Sequence, residues 1–174
     1  MQVSLCYSMI PSMTPLCLHT QEYLSQQNGV EVLSRLHTFQ CDIVSDDLPL
    51  HLRCQAVDMV LMTFMLSAVE PRHHISIFKK ARQALVNQGG LLFFRDYGLY
   101  DATQLRAKKR LQDSLFIRAD GTLAYFFEIE EVRRMLEETG FEVIECNYAT
   151  VQLTNRSTKE VMRRVFLHAK ARCK

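Results

Sequence analysis

The chain has 174 residues, of which 48% are hydrophobic and 23% charged, a balance typical of one folded domain and not of a disordered chain. Its formal net charge of +2 is too small to indicate a polyanion as partner by itself. Six irregularly spaced cysteines, with no C-x-x-C pair and no histidine at zinc-ligand spacing, indicate neither a metal site nor a disulfide framework.

The first 28 residues contain one predicted strand, over 3–7, and one predicted helix, over 14–27. The helix is expected to end at Asn28-Gly29, a pair suited to a C-terminal cap. This stretch has no positively charged start and is interrupted by two prolines, so it predicts neither a signal peptide nor a membrane span. We therefore expect a chain with no membrane association in a reducing compartment, with the cytoplasm as the default.

Strands and helices alternate along the remaining sequence, as expected of an α/β fold. A pair of glycines, Gly89-Gly90, separates a predicted helix over 71–87 from the predicted strand over 91–95. The predicted strands cover residues 36–43, 57–64, 91–95, 141–154 and 162–171, and the predicted helices cover 71–87 and 130–139.

The most informative segment is the polar run Arg95-Asp96-Tyr97-Gly98-Leu99-Tyr100-Asp101, which directly follows the apolar run 91–94. A short apolar run bounded by glycine predicts a strand that is buried on both faces. Ligands of parallel α/β sheets collect beyond the carboxyl ends of such strands, so the polar run lies where chemistry is expected. A second block, 116–127, places Asp120-Gly121 between two β-prone arms and predicts a hairpin.

From Arg95 through Phe127 these two blocks resemble a family pattern: a strand, R-D-Y-G-x-Y-D, x-x-L-R, a basic run, then V/I-R-x-D-G-T-x-x-Y-F-F. The family is the class I, S-adenosylmethionine-dependent methyltransferases that make 3-methylcytidine in RNA. Weaker similarity covers 39–42, 64–69 and 163–167. The resemblance implies methylation of cytosine N3 in tRNA, chiefly at position 32 of the anticodon loop, with S-adenosylmethionine as cofactor and tRNA as partner.

The resemblance also implies the fold, a Rossmann-like α/β sheet with helices on both faces and an antiparallel C-terminal strand pair, in a single domain over residues 1–174. The chain departs from the family at its start. Methyltransferases of this class hold the cofactor over a glycine-rich turn after the first strand, where a side chain would block the approach. The six glycines here form no G-x-G pair. We therefore expect the first strand-helix unit to be missing and residues 1–28 to be a degenerate cofactor-side start.

This departure leaves two functions open. The chain is either a methyltransferase or a catalytically inactive remnant of one that binds RNA or another protein. A missing strand would expose a position in the sheet, and a partner protein is one candidate to cover it.

Cofactor contacts are implied by the resemblance at the ends of two predicted strands. Asp42 matches the aspartate that contacts the adenine amino group, and a hydrogen-bond acceptor is needed there. The next strand is expected to open onto the cofactor. The complete cofactor set is Cys41, Asp42, Ile43, Thr63, Phe64 and Leu66.

The catalytic candidates follow from the proposed reaction. Cytosine N3 already carries a lone pair, and its methylation leaves a cationic base, so no strong general base is needed. A carboxylate near the developing positive charge would help, and Asp96 is the first candidate, with a loop-bracing acid as the alternative. Arg95 would hold a phosphate or brace Asp96. Tyr97 would offer a ring on which the base stacks.

RNA contacts are predicted because N3 lies on the Watson–Crick edge, so the base must be splayed out of any stack. Basic side chains after the signature suit a phosphate backbone, although a solvated surface is the alternative for any isolated run. We interpret Phe126 and Phe127 as core side chains in preference to RNA contacts. The RNA-binding candidates are Arg106, Lys108, Lys109, Arg110, Arg118 and, as an aromatic platform, Tyr125.

Overall fold

The computed structural model describes residues 3–8, 36–53, 57–154, 157, 159 and 161–174. The chain folds as two compact units, Met1–His51 and Leu52–Lys174. The single domain predicted over residues 1–174 would include both units, and it stays a prediction. The helix predicted over 14–27 lies outside the described residues.

The first unit contains two parallel strands, β1 (Val3–Ser8) and β2 (Leu36–Cys41). Their register runs from Val3 opposite Leu36 to Ser8 opposite Cys41. Both predicted strands are confirmed, and the second ends two residues earlier than expected because the backbone turns at Asp42. A short 3-10 turn follows at Leu50–Leu52.

The second unit is built on a four-stranded mixed sheet. Strands β3 (Met59–Thr63) and β4 (Leu91–Tyr97) are parallel, so their carboxyl ends lie side by side. Strands β8 (Phe141–Thr154) and β9 (Val161–Cys173) form the predicted antiparallel pair, and β9 inserts between β4 and β8. The sheet therefore combines a parallel half with an antiparallel half, as the resemblance implied.

Two helices cover one face of this sheet. Helix α1 (His74–Ala84) follows a 3-10 turn at Pro71–His73, and α3 (Ile129–Glu138) precedes β8. Phe78 of α1 packs on Phe94 of β4, with ring centroids 5.7 Å apart. Phe94 and Cys146 both lie opposite Ala169 of β9, so they share one face of the sheet. The Cys146 thiol donates to the Ile129 carbonyl at the start of α3. Both predicted helices are confirmed, each with slightly different ends.

The opposite face of β4 is only half-buried, which corrects the prediction of a strand buried on both faces. Side chains alternate along β4: Leu92 and Phe94 are buried, whereas Leu91 and Phe93 are intermediate. Among the described residues of this unit, α1 and α3 both pack on the side of Phe94. The apolar run thus reflects one core face and one half-covered face.

A smaller sheet of three antiparallel strands carries the predicted hairpin. It consists of β5 (Lys109–Arg110), β6 (Leu115–Ile117) and β7 (Leu123–Tyr125), preceded by the short helix α2 (Ala102–Arg106). Gly121 has φ +84° in the hairpin turn, a conformation that favours glycine. The Asp120 carboxylate accepts from the Thr122 N–H at 3.0 Å and fixes the same turn. The hairpin prediction is confirmed.

Phe126 and Phe127 are both buried, although neighbouring residues of an extended chain point in opposite directions. Phe126 packs with Phe116 and Ala124 in a cluster at the small sheet. Phe127 packs edge-on against Phe94 in the main core, with centroids 5.3 Å apart. The segment after β7 therefore joins two apolar clusters, one on each side.

Gly98 permits a close contact between the end of β4 and the hairpin β8–β9. Its N–H donates to the Val165 carbonyl at 3.0 Å. A Cβ at this position would lie 2.8 Å from two ring carbons of Tyr148 and 3.0 Å from a methyl group of Val165. A side chain would therefore force the two segments apart.

We expect Gly98→Ala to lower the free energy of unfolding by about 1–3 kcal/mol, the usual cost of an added methyl group in a packed site. Urea denaturation measures the change. In a Tyr148→Ala background the same methyl should cost much less, because the ring it meets is gone. Equal costs in both backgrounds would contradict the steric explanation.

Candidate functional site

The carboxyl ends of β3 and β4 bring several predicted site residues together. Thr63 lies opposite Arg95 in the strand register. The Phe64 N–H donates to the Arg95 carbonyl at 2.8 Å and continues this pairing by one residue. Tyr97 follows on the same face of β4 as Arg95. The sheet thus places four of the predicted residues at one edge, where α/β folds bind ligands.

Phe64 has an unusual conformation at this edge. Its φ of +51° lies in the left-handed region, which costs a non-glycine residue about 1–2 kcal/mol. The side chain is 43% exposed, and its ring centroid lies 5.3 Å from those of Tyr97 and Phe166. A large apolar ring that is both exposed and held in a strained backbone indicates a functional position.

Three arginines pack on these rings. Arg95 Cζ lies 4.8 Å from the Phe166 centroid and 5.5 Å from that of Phe64. The other two guanidinium groups lie over Tyr97, at 5.2 Å for Arg118 and 5.5 Å for Arg164. Each distance is within the range of a cation–π contact. We call this set the aromatic–arginine cluster; its members are Phe64, Arg95, Tyr97, Arg118, Arg164 and Phe166.

Asp96 lies beneath the cluster and is completely buried. One carboxylate oxygen accepts from the Ser67 N–H and the other from the Tyr97 N–H, both at 2.9 Å. Burial raises the pKa of this carboxyl, while these hydrogen bonds and the charge of Arg118 oppose the rise. This is the geometry of the bracing alternative: the carboxylate fixes Tyr97 and the turn after β3. Its contact with a substrate base stays a prediction.

Asp101, the last residue of the signature, was not among the predicted site residues. It is completely buried and accepts from Arg164 Nε and the Val165 N–H, each at 2.8 Å. It also caps α2 by accepting from the Thr103 N–H at 2.9 Å. Burial alone would raise the pKa of Asp101, but these hydrogen bonds hold it below its ordinary value. Asp101 therefore joins α2 to β9 and fixes the guanidinium that lies over Tyr97.

Tyr125 lies in the core, which corrects its prediction as a platform for RNA. The side chain is 9% exposed, and its hydroxyl donates to a Glu131 carboxylate oxygen at 2.6 Å. The ring packs against His74 and Phe127, with centroids 5.1 and 4.8 Å away. Burial and then the Glu131 carboxylate raise the pKa of this phenol. A ring so enclosed offers no free face to a base.

His74, at the start of α1, contributes to the same core. It is completely buried, and its Nε2 lies 3.0 Å from the Val69 carbonyl oxygen. Burial lowers the pKa of this imidazole and favours its neutral form. The rings of Tyr125 and Phe127 cover the helix start here.

The basic candidates after the signature differ in exposure: four are exposed and Arg118 is half-buried. Arg106, Lys108 and Lys109 are exposed beside the small sheet. Arg110 pairs with Asp113 and donates to the Gln112 carbonyl at 3.1 Å. Arg118 is half-buried over Tyr97 and belongs to the aromatic–arginine cluster, not to the exposed hairpin surface.

The remaining cofactor candidates differ in accessibility. Asp42, in the first unit, is exposed directly after β2, and one carboxylate oxygen accepts from the Val44 N–H at 2.9 Å. Cys41 and Ile43 are buried at 3% and 8% exposure, so only their backbone could contact a ligand. Leu66 of the second unit is completely buried in the core, which leaves its predicted side-chain contact without an accessible surface.

Within the described ranges, no three His, Cys, Asp or Glu side chains are grouped so that they could hold a metal ion. In the part of the chain that the structure describes, no helix has the length and apolar character needed to span a bilayer.

Comparison with known sequences gives a consistent result. Residues 14–146 match the methyltransferase domain family. The tRNA N(3)-cytidine methyltransferase METTL6 of Homo sapiens is 35% identical over 151 residues, which cover 86% of this chain and 52% of that protein. O-methyltransferase 3 of Dictyostelium discoideum is 35% identical over 156 residues, covering 84% and 35% respectively. The chain therefore spans only about a third to a half of these relatives.

Solved structures show the same fold. A SAM-dependent methyltransferase from Methanosarcina mazei matches with a TM-score of 0.66 and 17% identity, over 99% of this chain and 82% of that one. The 1,6-didemethyltoxoflavin-N1-methyltransferase of Burkholderia thailandensis, with bound S-adenosylhomocysteine, matches with a TM-score of 0.59 and 14% identity, over 99% and 61%. The predicted Rossmann-like methyltransferase fold is confirmed.

We expect Asp101→Asn to lower the free energy of unfolding by about 3 kcal/mol at pH 7, because it breaks a buried ion pair. Folding lowers the pKa of Asp101, so its stabilisation is complete above the pKa of an unfolded aspartate, about 3.9, and is lost as the pH falls toward the lower folded value. The difference between wild type and variant should therefore narrow below about pH 4. Urea denaturation across this pH range measures it.

Glu142→Gln provides the matched control, since Glu142 pairs with Arg172 at 2.7 Å on the exposed surface. Exposed pairs contribute little to stability, so this variant should unfold nearly as the wild type does. A loss at Asp101 no larger than that at Glu142 would contradict the role assigned to the buried pair.

Proposed function

The chain belongs to the methyltransferase domain family, and from this premise we propose that it transfers a methyl group from S-adenosylmethionine to N3 of cytosine in tRNA. The 35% identity to a tRNA N(3)-cytidine methyltransferase supports this substrate. The signature from Arg95 to Asp101 further favours position 32 of the anticodon loop, through the resemblance it carries. The cytoplasm is the proposed location.

The aromatic–arginine cluster is the observation that carries the proposal. A splayed cytosine needs a flat apolar surface, and stacking on one aromatic ring contributes about 1–3 kcal/mol. Phe64 presents such a ring, 43% exposed, at the carboxyl ends of β3 and β4. The guanidinium groups of Arg95 and Arg118 are held close to the rings and provide the positive charge that an RNA backbone requires.

S-adenosylmethionine, when bound, supplies a methyl group on a positively charged sulfur. Transfer of that methyl group to the lone pair of cytosine N3 would leave the cofactor as a neutral thioether and the base as a cation. No proton must leave N3 before this step. The task of the protein is therefore to orient the base, and stacking on the exposed ring of Phe64 does this.

Asp96 serves this reaction as a positioning residue. Its buried carboxylate fixes the backbone of Tyr97 and of Ser67, on the two segments that carry the cluster. A negative charge on this carboxyl would also favour a base that becomes cationic on methylation.

The exposed carboxylate of Asp42 fits the cofactor, because an adenine amino group needs a hydrogen-bond acceptor and this oxygen pair stands at the end of β2. In the second unit, Thr63 and Phe64 remain the predicted cofactor contacts. The chain contains no G-x-G turn, so Asp42 is the clearest single residue on which cofactor binding can be tested.

Calorimetric titration of S-adenosylmethionine into the 174-residue chain tests the cofactor assignment. We expect saturable binding that disappears in Asp42→Ala, because the adenine amino group loses its acceptor. Asp47→Ala removes another exposed carboxylate of the same loop and should bind as the wild type does. Absence of binding up to millimolar cofactor would contradict catalysis by this chain and leave the RNA-binding remnant as the better description.

RNA binding is tested by charge reversal at Lys108. The logarithm of the RNA-binding constant falls linearly with the logarithm of the salt concentration, and each lost phosphate contact on a single strand makes this slope shallower by about 0.7. We therefore expect Lys108→Glu to make the slope shallower by at least this amount. Fluorescence anisotropy titrations at several salt concentrations measure it. Lys79→Glu, at an exposed position of α1, is the control. If both variants weaken RNA binding equally, the effect comes from net charge and not from a local interaction.

A further inference from the structure

A second concave site lies beside the aromatic–arginine cluster, between α2 and the small sheet. Its volume is about 350 Å³, near the lower end of the range of small-ligand pockets, about 300–1,000 Å³. Phe116 forms its floor, while Tyr100 and Leu105 stand at its rim with 73% and 72% exposure. Neither of these two side chains contributes to the packed core, so the fold alone does not explain them.

The backbone fixes the rim. Tyr100 has φ +64°, and its N–H donates to Gln104 Oε1 at 2.6 Å. This bond occupies the acceptor of the Gln104 amide and leaves its NH2 group as a donor. Asp113, paired with Arg110, adds an acceptor on the far side. Apolar and aromatic walls thus combine with one donor and one acceptor, the pattern that the hydrogen-bonding edge of a nucleobase matches.

The charge around the pocket favours a polyanion over an apolar peptide. Arg110 lines the pocket, and the exposed Arg106, Lys108 and Lys109 come from the same stretch of chain. Asp113 is the one acidic lining residue, and its charge is offset by Arg110. A base that enters the pocket would therefore bring its phosphates toward basic side chains.

The pocket is also connected to the proposed methylation site. Phe116, its floor, packs on Phe126 with centroids 5.5 Å apart, and Phe126 packs on Tyr97 at 5.9 Å. Two ring contacts therefore link the pocket to the cluster.

We propose that this pocket binds a second nucleobase, splayed from the same RNA strand close to the cytosine that is methylated. The inference rests on the proposed function, since it requires an RNA substrate, and it adds a second base contact to the stacked cytosine and the phosphate contacts already proposed. Such a contact gives sequence information, whereas lysines and arginines on phosphates only position the strand.

Binding of a single-stranded RNA of about 11 nucleotides with one central cytidine, long enough to cover one site, tests the pocket. Each flanking nucleoside is replaced in turn by an abasic ribose, and affinity is measured by fluorescence anisotropy. We expect one flanking replacement to weaken wild-type binding roughly tenfold, the order expected of one stacked base. The double variant Tyr100→Ala, Leu105→Ala should lose a similar factor on the intact RNA and be insensitive to that same replacement.

The control variant is Leu111→Ala, which removes a 52% exposed leucine from the same region but outside the pocket lining. It should keep wild-type affinity and the wild-type response to the abasic RNA. Thermal unfolding of the double variant should match that of the wild type, because both replaced side chains are exposed.

Two results would overturn the pocket. In the first, the double variant loses the same factor of affinity, relative to the wild type, on the intact RNA and on the abasic RNA. In the second, no abasic replacement at a flanking position weakens wild-type binding. If cofactor binding and cytosine methylation persist in either case, the pocket proposal fails alone. If the wild type binds neither cofactor nor RNA, the proposed function fails and the pocket with it.

Discussion

A buried carboxylate has to be saturated with hydrogen bonds, and this requirement at Asp101 organises the second unit. The side chain is completely buried, so its charge is stable only while Arg164, Val165 and Thr103 all donate to it. Those donors come from β9 and α2. The start of α2, the position of Tyr100 before it, and the placement of the Arg164 guanidinium over Tyr97 all depend on this one group.

The alternation of side chains along β4 then divides the signature into two functions. Arg95 and Tyr97 point to the face that carries the cluster, and Asp96 and Gly98 point the other way, where both are buried. The inward pair holds the backbone: Asp96 through hydrogen bonds and Gly98 through close contact with Tyr148. A strand period of two therefore separates the residues proposed to meet a ligand from the residues that fix their position.

Much of this arrangement follows from local sequence. The apolar runs predict β3 and β4, the Asp120-Gly121 turn predicts its hairpin, and Glu130 to Thr139 predicts α3 to within one residue at each end. These features depend on neighbouring residues only. The family pattern adds the candidate site, because it marks Arg95, Asp96 and Tyr97 as a group, and their roles in catalysis stay predictions.

What sequence reasoning missed depends on contacts between distant residues. Arg164 is 63 residues from Asp101, so no local pattern identifies the pair. From the sequence alone, Tyr125 is interpreted as an exposed aromatic side chain. Its burial depends on Glu131 of α3, which accepts from its hydroxyl, and on His74 of α1, which packs on its ring. The positive φ of Phe64 is equally hidden, because it arises where the chain leaves β3 and still pairs with Arg95.

The order of strands has a consequence for how this unit forms during synthesis. Strand β9 follows β3, β4 and β8 in sequence but lies between β4 and β8 in the sheet. On the ribosome, β4 therefore has no antiparallel neighbour until β9 has emerged, and the β9 donors that saturate Asp101 arrive with it. For the whole interval the nascent chain must keep one edge of an apolar strand unpaired and a signature carboxylate without its β9 donors, which makes this a stage at which a chaperone or a misfolding event can act.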